Sequence, residues 1–270
     1  MIVNMAMTPG LGKIVDAFSA EPMKIELSDN KPFTFDFFNI PIAYGWFSQN
    51  TSDTISLNRT LVGRTISHLK SMGYSDHKAL DIASRLWMST LSHETIHAID
   101  FQNLKKITGL DYPPYVREME LNAFSSAGYF TKAATAGLPQ DIWGTSYGKH
   151  TQAYLAAWEL GPLHLRDWVA PLYKNVPAIY GSDPEETIRI YAKEMAESSN
   201  PSTKKACADA IEFWKSPDLI QKTQEYFDER LKEQEELWPH LMAVWRADRE
   251  PDGALKAFDF SLSPPDISFQ

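Results

Sequence analysis

Hydrophobic residues near the start of the chain alternate with polar ones. Between residues 31 and 60, the alternation is clearest in Phe33–Phe37, a second apolar run covers Ile40–Phe47, and a polar turn separates that run from Thr54–Leu57. Period-two alternation with aromatic enrichment is typical of strands. The pattern predicts two or three short antiparallel strands in this part of the chain.

From residue 59 onward, apolar residues recur at intervals of three and four, which is the spacing of a helix face. Ser75 precedes the longest helical stretch and is a preferred N-cap residue, and Pro184 follows Asp183 at a second capped start. A break at Gly109–Pro114 separates two of the helices. The predicted helices span 59–71, 76–105, 115–136, 184–199, 202–215 and 217–249.

Two stretches are less regular. Residues 137–182 are rich in glycine, proline and aromatic residues, so we expect irregular structure with short helices there. Pro239 is expected to kink or divide the last helix, and the segment from Phe258 onward is expected to be extended or loosely ordered. The whole pattern predicts a mostly helical α+β fold, with a core over residues 1–180 and a helical extension over 181–270.

Composition narrows the classes of function. The 270 residues include 26 Lys and Arg against 35 Asp and Glu, a net charge of −9, which argues against a nucleic-acid partner. The single cysteine, Cys207, cannot form an internal disulfide bond. The N-terminus lacks the pattern of a signal peptide, and no stretch approaches the roughly 20 apolar residues of a membrane helix. We therefore expect a cytoplasmic protein without a membrane partner, or a virion-associated one if a phage encodes it.

The strongest chemical signal is an HExxH motif, formed by His93, Glu94 and His97 within the long predicted helix. Residues four apart stand on one face of a helix, so both imidazoles can bind one metal ion. Glu94 lies about 100° round the helix, beside the metal rather than on it. A carboxylate in that position can take a proton from a metal-activated water.

The two histidines continue an apolar helix face. With His93 as the origin of a helical wheel, Ala79, Ile82, Leu86 and Thr90 lie within about 60° of it. Polar groups on a buried face need partners, and a metal ion is the commonest partner of two histidines and an acid. The alternative is a chance motif in a helical binding module.

These residues resemble the HExxH zincin metallopeptidases of the gluzincin type, and the compact metallopeptidases encoded in bacterial and phage genomes. In that family a glutamate from a later helix completes the metal site. Here the helix after Pro114 carries Arg117, Glu120 and Ala123 in an Arg-x-x-Glu-x-x-Ala pattern. The resemblance covers residues 35–135 and implies a zincin-like core, one zinc ion per chain, and an edge strand above the active-site helix.

The resemblance implies Glu120 as the third metal ligand beside the two histidines, with Glu94 as the general base. Glu118 is the neighbouring alternative, but residues two apart on a helix point about 200° away from each other. Glu120 lies on the largely apolar face of its predicted helix, and Glu118 on the more polar side. A buried carboxylate needs a metal or another partner, and Arg117 is the competing partner for Glu120.

Asp100 lies three residues after His97, on the same helical face as both histidines. Three interpretations of this residue stay open. Its carboxylate orients a ligand imidazole, or it is itself the third metal ligand, or it is an ordinary acid on the helix surface.

Gluzincins often supply a tyrosine or histidine donor to the developing oxyanion, and the resemblance implies a similar donor here. The candidates are Tyr147 and His150, with Tyr154 and His164 further along the chain. Each of these residues is also explained as a packed side chain of an aromatic-rich stretch.

The resulting hypothesis is zinc-dependent hydrolysis of a peptide or protein substrate, with Glu94 taking the proton of the attacking water. The alternative is a zincin-fold structural or interaction protein, for example a phage or assembly component, whose metal stabilises the fold with little or no turnover. A structural protein does not need Glu94, so the presence of this residue favours the enzyme.

Overall fold

The computed structural model describes residues 24–29, 44–47 and 54–247. The alternating Phe33–Phe37 stretch and the segment from Phe258 onward lie outside these residues. Three strands and eight α-helices make up the described part, together with a 3-10 helix at Gln140–Gly144. In chain order they are β1 (Lys24–Ser28), β2 (Gly45–Phe47), β3 (Thr54–Asn58), α1 (Arg59–Ser71), α2 (Asp76–Thr108), α3 (Arg117–Thr135), α4 (Ser146–Glu159), α5 (Pro162–Leu172), α6 (Pro184–Glu197), α7 (Pro201–Lys215) and α8 (Pro217–Ala247).

The sheet has the order β1-β3-β2 and is mixed. β2 pairs antiparallel with β3, in a register that sets Trp46 opposite Ser56, as the alternating pattern predicted. β1 lies before the stretch in which strands were predicted, and it pairs parallel with β3, so the sheet is mixed and not the antiparallel one that was expected. Alternation along one strand carries no information about the direction of its neighbour, and β1 joins the sheet from 30 residues away, as in the pairing of Lys24 with Thr54.

The helix boundaries follow from local capping chemistry. The Asn58 side chain accepts the backbone N–H of Leu61 at the start of α1, and Ser75 caps α2 as predicted by accepting from Lys78. α2 ends at Gly109, whose φ of 72° is the left-handed conformation typical of a helix C-terminus. The long helix therefore continues three residues beyond the predicted end.

Residues 137–182 are more regular than expected. They contain α4 and α5, which are 14 and 11 residues long. Some of the glycines and prolines that suggested irregular structure lie at element ends: Gly161 has a φ of 106° and precedes Pro162 in the first turn of α5, although Pro171 lies inside that helix. The last helix is not divided at Pro239, because α8 extends through it to Ala247.

α2 and α3 pack against each other at the centre of the described structure, and α8 packs against both. On one side of α2, a buried cluster joins the helix to the sheet, and Phe101 in that cluster is 1% exposed. Full burial of such an aromatic side chain contributes about 1.5–3 kcal/mol. The cluster that joins α2 to the sheet consists of Phe47, Ile55, Leu91, Ala98 and Phe101. The sheet is thereby held over the half of α2 that carries the HExxH motif.

The mostly helical α+β class agrees with the predicted one, whereas the division into a core over 1–180 and an extension over 181–270 stays a prediction. In the described residues, none of the helices combines the length and the apolar character needed to cross a membrane.

Candidate metal centre

His93 and His97 lie in the middle of α2, where both side chains are buried. Their Nε2 atoms are 2.9 Å apart, so the two rings converge on one point, as the four-residue spacing predicted. The Nδ1 atoms of both rings are buried without a hydrogen-bond partner. An ion bound between the Nε2 atoms would not satisfy these Nδ1 atoms, so it is the convergence of the Nε2 atoms that indicates a shared ligand.

Glu120 approaches the two histidines from α3 and is 2% exposed. Its Oε2 lies 3.2 Å from His93 Nε2, and its Oε1 lies 3.1 Å from His97 Nε2. The three residues, here called the ligand cluster, bring their ligand atoms within 4.8 Å of one another, and no other His, Cys, Asp or Glu group in residues 24–29, 44–47 and 54–247 does so. The ligand cluster can therefore hold a metal ion.

The distances in the ligand cluster suit a small tetrahedral ion. Nitrogen and oxygen ligands at about 2.0–2.1 Å from a tetrahedral centre lie roughly 3.3 Å from one another. The two Nε2 atoms are 2.9 Å apart, and they lie 3.1 and 3.2 Å from different oxygens of Glu120, so all three distances are only slightly shorter than that. An ion thus fits after a small outward movement of the side chains, and the donor set is two imidazoles and one carboxylate.

Charges within the ligand cluster shift the protonation of its members. Burial lowers the pKa of His97, but the carboxylates of Glu120, Glu94 and Asp100 oppose burial and raise it to about 9. Burial raises the pKa of Glu120, but the two imidazoles oppose it and hold that pKa well below its usual range. Without a metal, the cluster is held by a charged His97–Glu120 pair.

Glu94 is 7% exposed and lies beside the ligand cluster, under strand β2. Its carboxylate accepts a hydrogen bond from the backbone N–H of Phe47, yet burial dominates and raises its pKa. A raised pKa makes a carboxylate a better proton acceptor near neutral pH. The position and environment of Glu94 therefore suit a general base.

Strand β2 approaches α2, the helix that carries the HExxH motif, closely because residue 45 is glycine. A Cβ atom at Gly45 would lie 2.6 Å from Thr90 Cγ2 and 3.1 Å from Glu94 Cγ. Such contacts are too short, so a larger residue would push the strand away from α2 or displace Glu94. In the described sheet β2 is an edge strand, which agrees with the expected strand above the motif helix.

Two tyrosines contact the Glu120 carboxylate, and sequence reasoning missed both. The Tyr115 hydroxyl donates to Glu120 Oε1, and the Tyr173 hydroxyl hydrogen-bonds with the same carboxylate. Tyr115 lies five residues before Glu120, and this proximity was the available signal. Tyr173 follows α5, more than 50 residues away along the chain, and no local pattern marks it.

Glu118 and Arg117, the alternatives considered around Glu120, have other partners. Glu118 accepts the backbone N–H of Ile179 at 3.0 Å and lies outside the ligand cluster. The Arg117 guanidinium donates to backbone carbonyls, among them that of Val176 at 3.1 Å. The structure thus brings Glu120, and not Glu118, to the histidines, as the face analysis predicted.

Asp100 is fully buried and lies outside the ligand cluster. Its carboxylate accepts hydrogen bonds from Asn122 at 2.8 and 2.9 Å and from the Tyr226 hydroxyl at 2.7 Å. Burial raises its pKa to about 6 although these hydrogen bonds oppose the shift. Asp100 is therefore not an ordinary surface acid, and its partners are groups on α3 and α8.

The two predicted oxyanion donors occupy different environments. Tyr147 is buried, its hydroxyl lies 2.6 Å from Thr90 Oγ1, and its ring stacks on Trp87. His150 is half-buried and packs against Trp168, and burial beside His93 lowers the pKa of its imidazole. The role of both residues as oxyanion donors stays a prediction.

Comparisons with known proteins give no relative: no protein-family model, curated protein or solved structure matches the chain.

Proposed function

We propose that this protein is a zinc-dependent peptide hydrolase with a zincin-like core. The observation that carries the proposal is the buried group of His93, His97 and Glu120, with Glu94 beside it on the same helix. Two histidines and a glutamate are the ligand set of one class of catalytic zinc sites, in which the fourth position is left to water.

The proposed chemistry divides between the metal and the chain. His93, His97 and Glu120 would hold the zinc ion, which would act as a Lewis acid and lower the pKa of water to about 7. Glu94 accepts a proton from the attacking water and passes it to the leaving amine. Burial of Glu94 supports this role, because it raises the proton affinity of the carboxylate.

The groups around Glu120 and His93 offer candidates for the developing oxyanion. Tyr115 and Tyr173 already direct hydroxyl groups at Glu120, and His150 lies near His93. A phenol with a raised pKa stays protonated and can donate a hydrogen bond. We add Tyr173 to His150 and Tyr147 as a proposed donor.

A peptide substrate is supported by the position of β2. The strand lies over Glu94, and its pairing with β3 leaves it at an edge of the described sheet. An extended peptide can bind along such an edge, with its scissile bond near the motif helix. The resemblance to gluzincins implies an edge strand in such a position, which supports the proposal.

One observation favours the structural alternative. Glu94 and all three members of the ligand cluster are less than 10% exposed. A metal that stabilises the fold without turnover needs no opening to solvent, whereas a hydrolase must admit a peptide to these groups.

The deciding experiment measures metal content and hydrolysis on the same purified full chain. Elemental mass spectrometry should give about one zinc per chain, and the protein should cleave unfolded casein or a quenched peptide library. Chelation should stop cleavage and lower the melting temperature, since zinc at 100 times its Kd adds about 2.7 kcal/mol of stability. Zinc binding without any cleavage would support the structural alternative, and a protein that takes up neither zinc nor cobalt would contradict both.

A further inference from the structure

We infer that helix α8 positions the metal ligands through a buried hydrogen-bond network, with Tyr226 and Asp100 as positioning residues. The inference rests on the metal centre of the proposed function, but not on peptide hydrolysis. We call the four residues Asp100, Asn122, Tyr226 and Gln234 the Asp100 network.

The first half of the network joins the two helices that supply the metal ligands. Asp100 lies one turn after His97 on α2, and Asn122 lies two residues after Glu120 on α3. The Asn122 amide donates to both oxygens of the Asp100 carboxylate, at 2.8 and 2.9 Å. These bonds fix the rotation of α2 against α3, and that rotation decides how Glu120 meets the histidines.

The second half of the network comes from α8. The Tyr226 hydroxyl donates to Asp100 Oδ1 at 2.7 Å, and the Gln234 amide donates to Asn122 Oδ1 at 2.6 Å and to Ser126 Oγ at 3.0 Å. Tyr226 also accepts from the Asn103 amide at 3.3 Å. Helix α8, more than 100 residues further along the chain, therefore hydrogen-bonds to both Asp100 and Asn122.

The chemistry of these contacts favours a rigid support. Both oxygens of Asp100 and the amide oxygen and nitrogen of Asn122 have partners, so the network is satisfied within the protein. Burial of the Asp100 carboxylate costs desolvation energy, which its hydrogen bonds offset. Rotation of the carboxylate would break several of these charged hydrogen bonds, so it stays in one orientation. Outer groups that hydrogen-bond to a metal ligand commonly contribute about 10–100-fold to metal affinity, and a network that acts through the packing of the ligand helices should contribute at the lower end of that range.

A purely structural role for Tyr226 would affect stability without changing the metal site. The two possibilities differ in the coordination of the bound ion, which cobalt reports directly through its visible absorption bands. They also differ in metal affinity relative to a control that loses an equivalent bond elsewhere on α8. Tyr180 supplies that control, because its hydroxyl donates to Asp228 of α8 at 2.6 Å on the exposed surface.

The experiment compares the wild-type full chain with Tyr226→Phe and Tyr180→Phe. Zinc affinity is measured by competition with a chromophoric chelator, and the cobalt-loaded proteins are compared by absorption. We expect Tyr226→Phe to bind zinc about tenfold more weakly and to alter the cobalt bands, and Tyr180→Phe to match the wild type in both. Gln234→Met, which removes the second α8 donor at similar volume, should act in the same direction and replaces Tyr226→Phe if that variant does not fold.

The outcomes separate this inference from the proposed function. A wild type that binds zinc while Tyr226→Phe and Gln234→Met match it in affinity and cobalt spectrum would overturn the positioning role alone. Equal losses in the Tyr180→Phe control would also overturn it, since the effect would then be general to α8. A wild type that binds neither zinc nor cobalt would remove the metal centre itself and this inference with it.

Discussion

Two buried polar clusters on the α2–α3 pair differ in how well the protein satisfies them. In the ligand cluster, the Nε2 atoms of His93 and His97 lie 2.9 Å apart, and the Oε2 atom of Glu120 that faces them is buried without a hydrogen-bond partner. In the Asp100 network, both carboxylate oxygens of Asp100 accept hydrogen bonds from other side chains. A buried polar group whose hydrogen-bond partners are present is explained by the fold, whereas one that lacks them indicates that a ligand binds there.

The comparison also separates two kinds of acidic residue. Glu120 and Asp100 are both almost completely buried, and either alone fits the pattern of a third metal ligand after an HExxH motif. Only Glu120 faces the histidines, while Asp100 is occupied by Asn122 and Tyr226. Burial by itself therefore does not identify a ligand, and the partners decide.

The largest expected effect concerns Glu94, which lies beside the ligand cluster without belonging to it. Glu94→Gln should lower peptide cleavage by about 10²–10⁴-fold, because the amide cannot accept the proton of the attacking water. Zinc content and melting temperature should stay close to wild type. The measurement is cleavage of a quenched peptide alongside elemental analysis, and equal cleavage by both proteins would show that Glu94 is not the base.

The next effect compares Glu120 with its neighbour Glu118. Glu120→Ala removes one member of the ligand cluster and should weaken zinc binding by about 100-fold or more. Glu118→Ala removes a carboxylate that is bound to backbone amides of Ile179 and Tyr180, so zinc binding should be near wild type. Competition titrations give both affinities. The opposite ranking would contradict the assignment, and unchanged affinity in both variants would return Asp100 to consideration.

Zinc affinity should depend on pH because of His97. Its pKa is about 9 in the metal-free protein, above its usual 6.5, so its ring is protonated at pH 7 and zinc must displace about one proton. Affinity should rise about tenfold per pH unit from 7 toward 9 and then level off. The raised pKa of His97 also stabilises the metal-free fold. This stabilisation is fully present below about pH 6.5 and is lost as the pH rises through about 9.

Calorimetry in buffers of different ionisation enthalpy counts the protons released on zinc binding. Glu120→Gln is the matched control, since it removes the carboxylate that most strongly raises the pKa of His97 and should reduce proton release at pH 7. Zinc affinity that does not change between pH 7 and 9 would contradict the charged His97–Glu120 pair.

The smallest effect concerns the approach of β2 to the motif helix. Gly45→Ala should lower the free energy of unfolding by about 1–3 kcal/mol, because the new Cβ meets Thr90 and Glu94. Gly63→Ala is the control: Gly63 lies within α1 with open space around it, so alanine there should stabilise by about 0.5–1 kcal/mol. Denaturant unfolding measures both, and a neutral Gly45→Ala would show that the strand is not in close contact with α2.

Much of the helical framework was predictable because its signals are local. Ser75 and Gly109 mark the ends of α2 through capping and a left-handed turn, both of which involve only neighbouring residues. Glycine and proline misled the prediction for residues 137–182, because these residues also occur at the ends of ordinary helices such as α5. Strand direction was not predictable, since β1 meets β3 through long-range pairing.

The sequence by itself determined which side chains could share a metal. The spacing of His93 and His97 puts them on one helix face, and the apolar neighbours of Glu120 turn its carboxylate inward, because both effects follow from helix geometry. Only the tertiary structure decided that α3 brings Glu120 within 3.2 Å of the histidines. It also decided that Asp100 meets Tyr226 from 126 residues away. Such contacts depend on how helices pack, and packing joins residues whose separation along the chain leaves no periodic pattern to read.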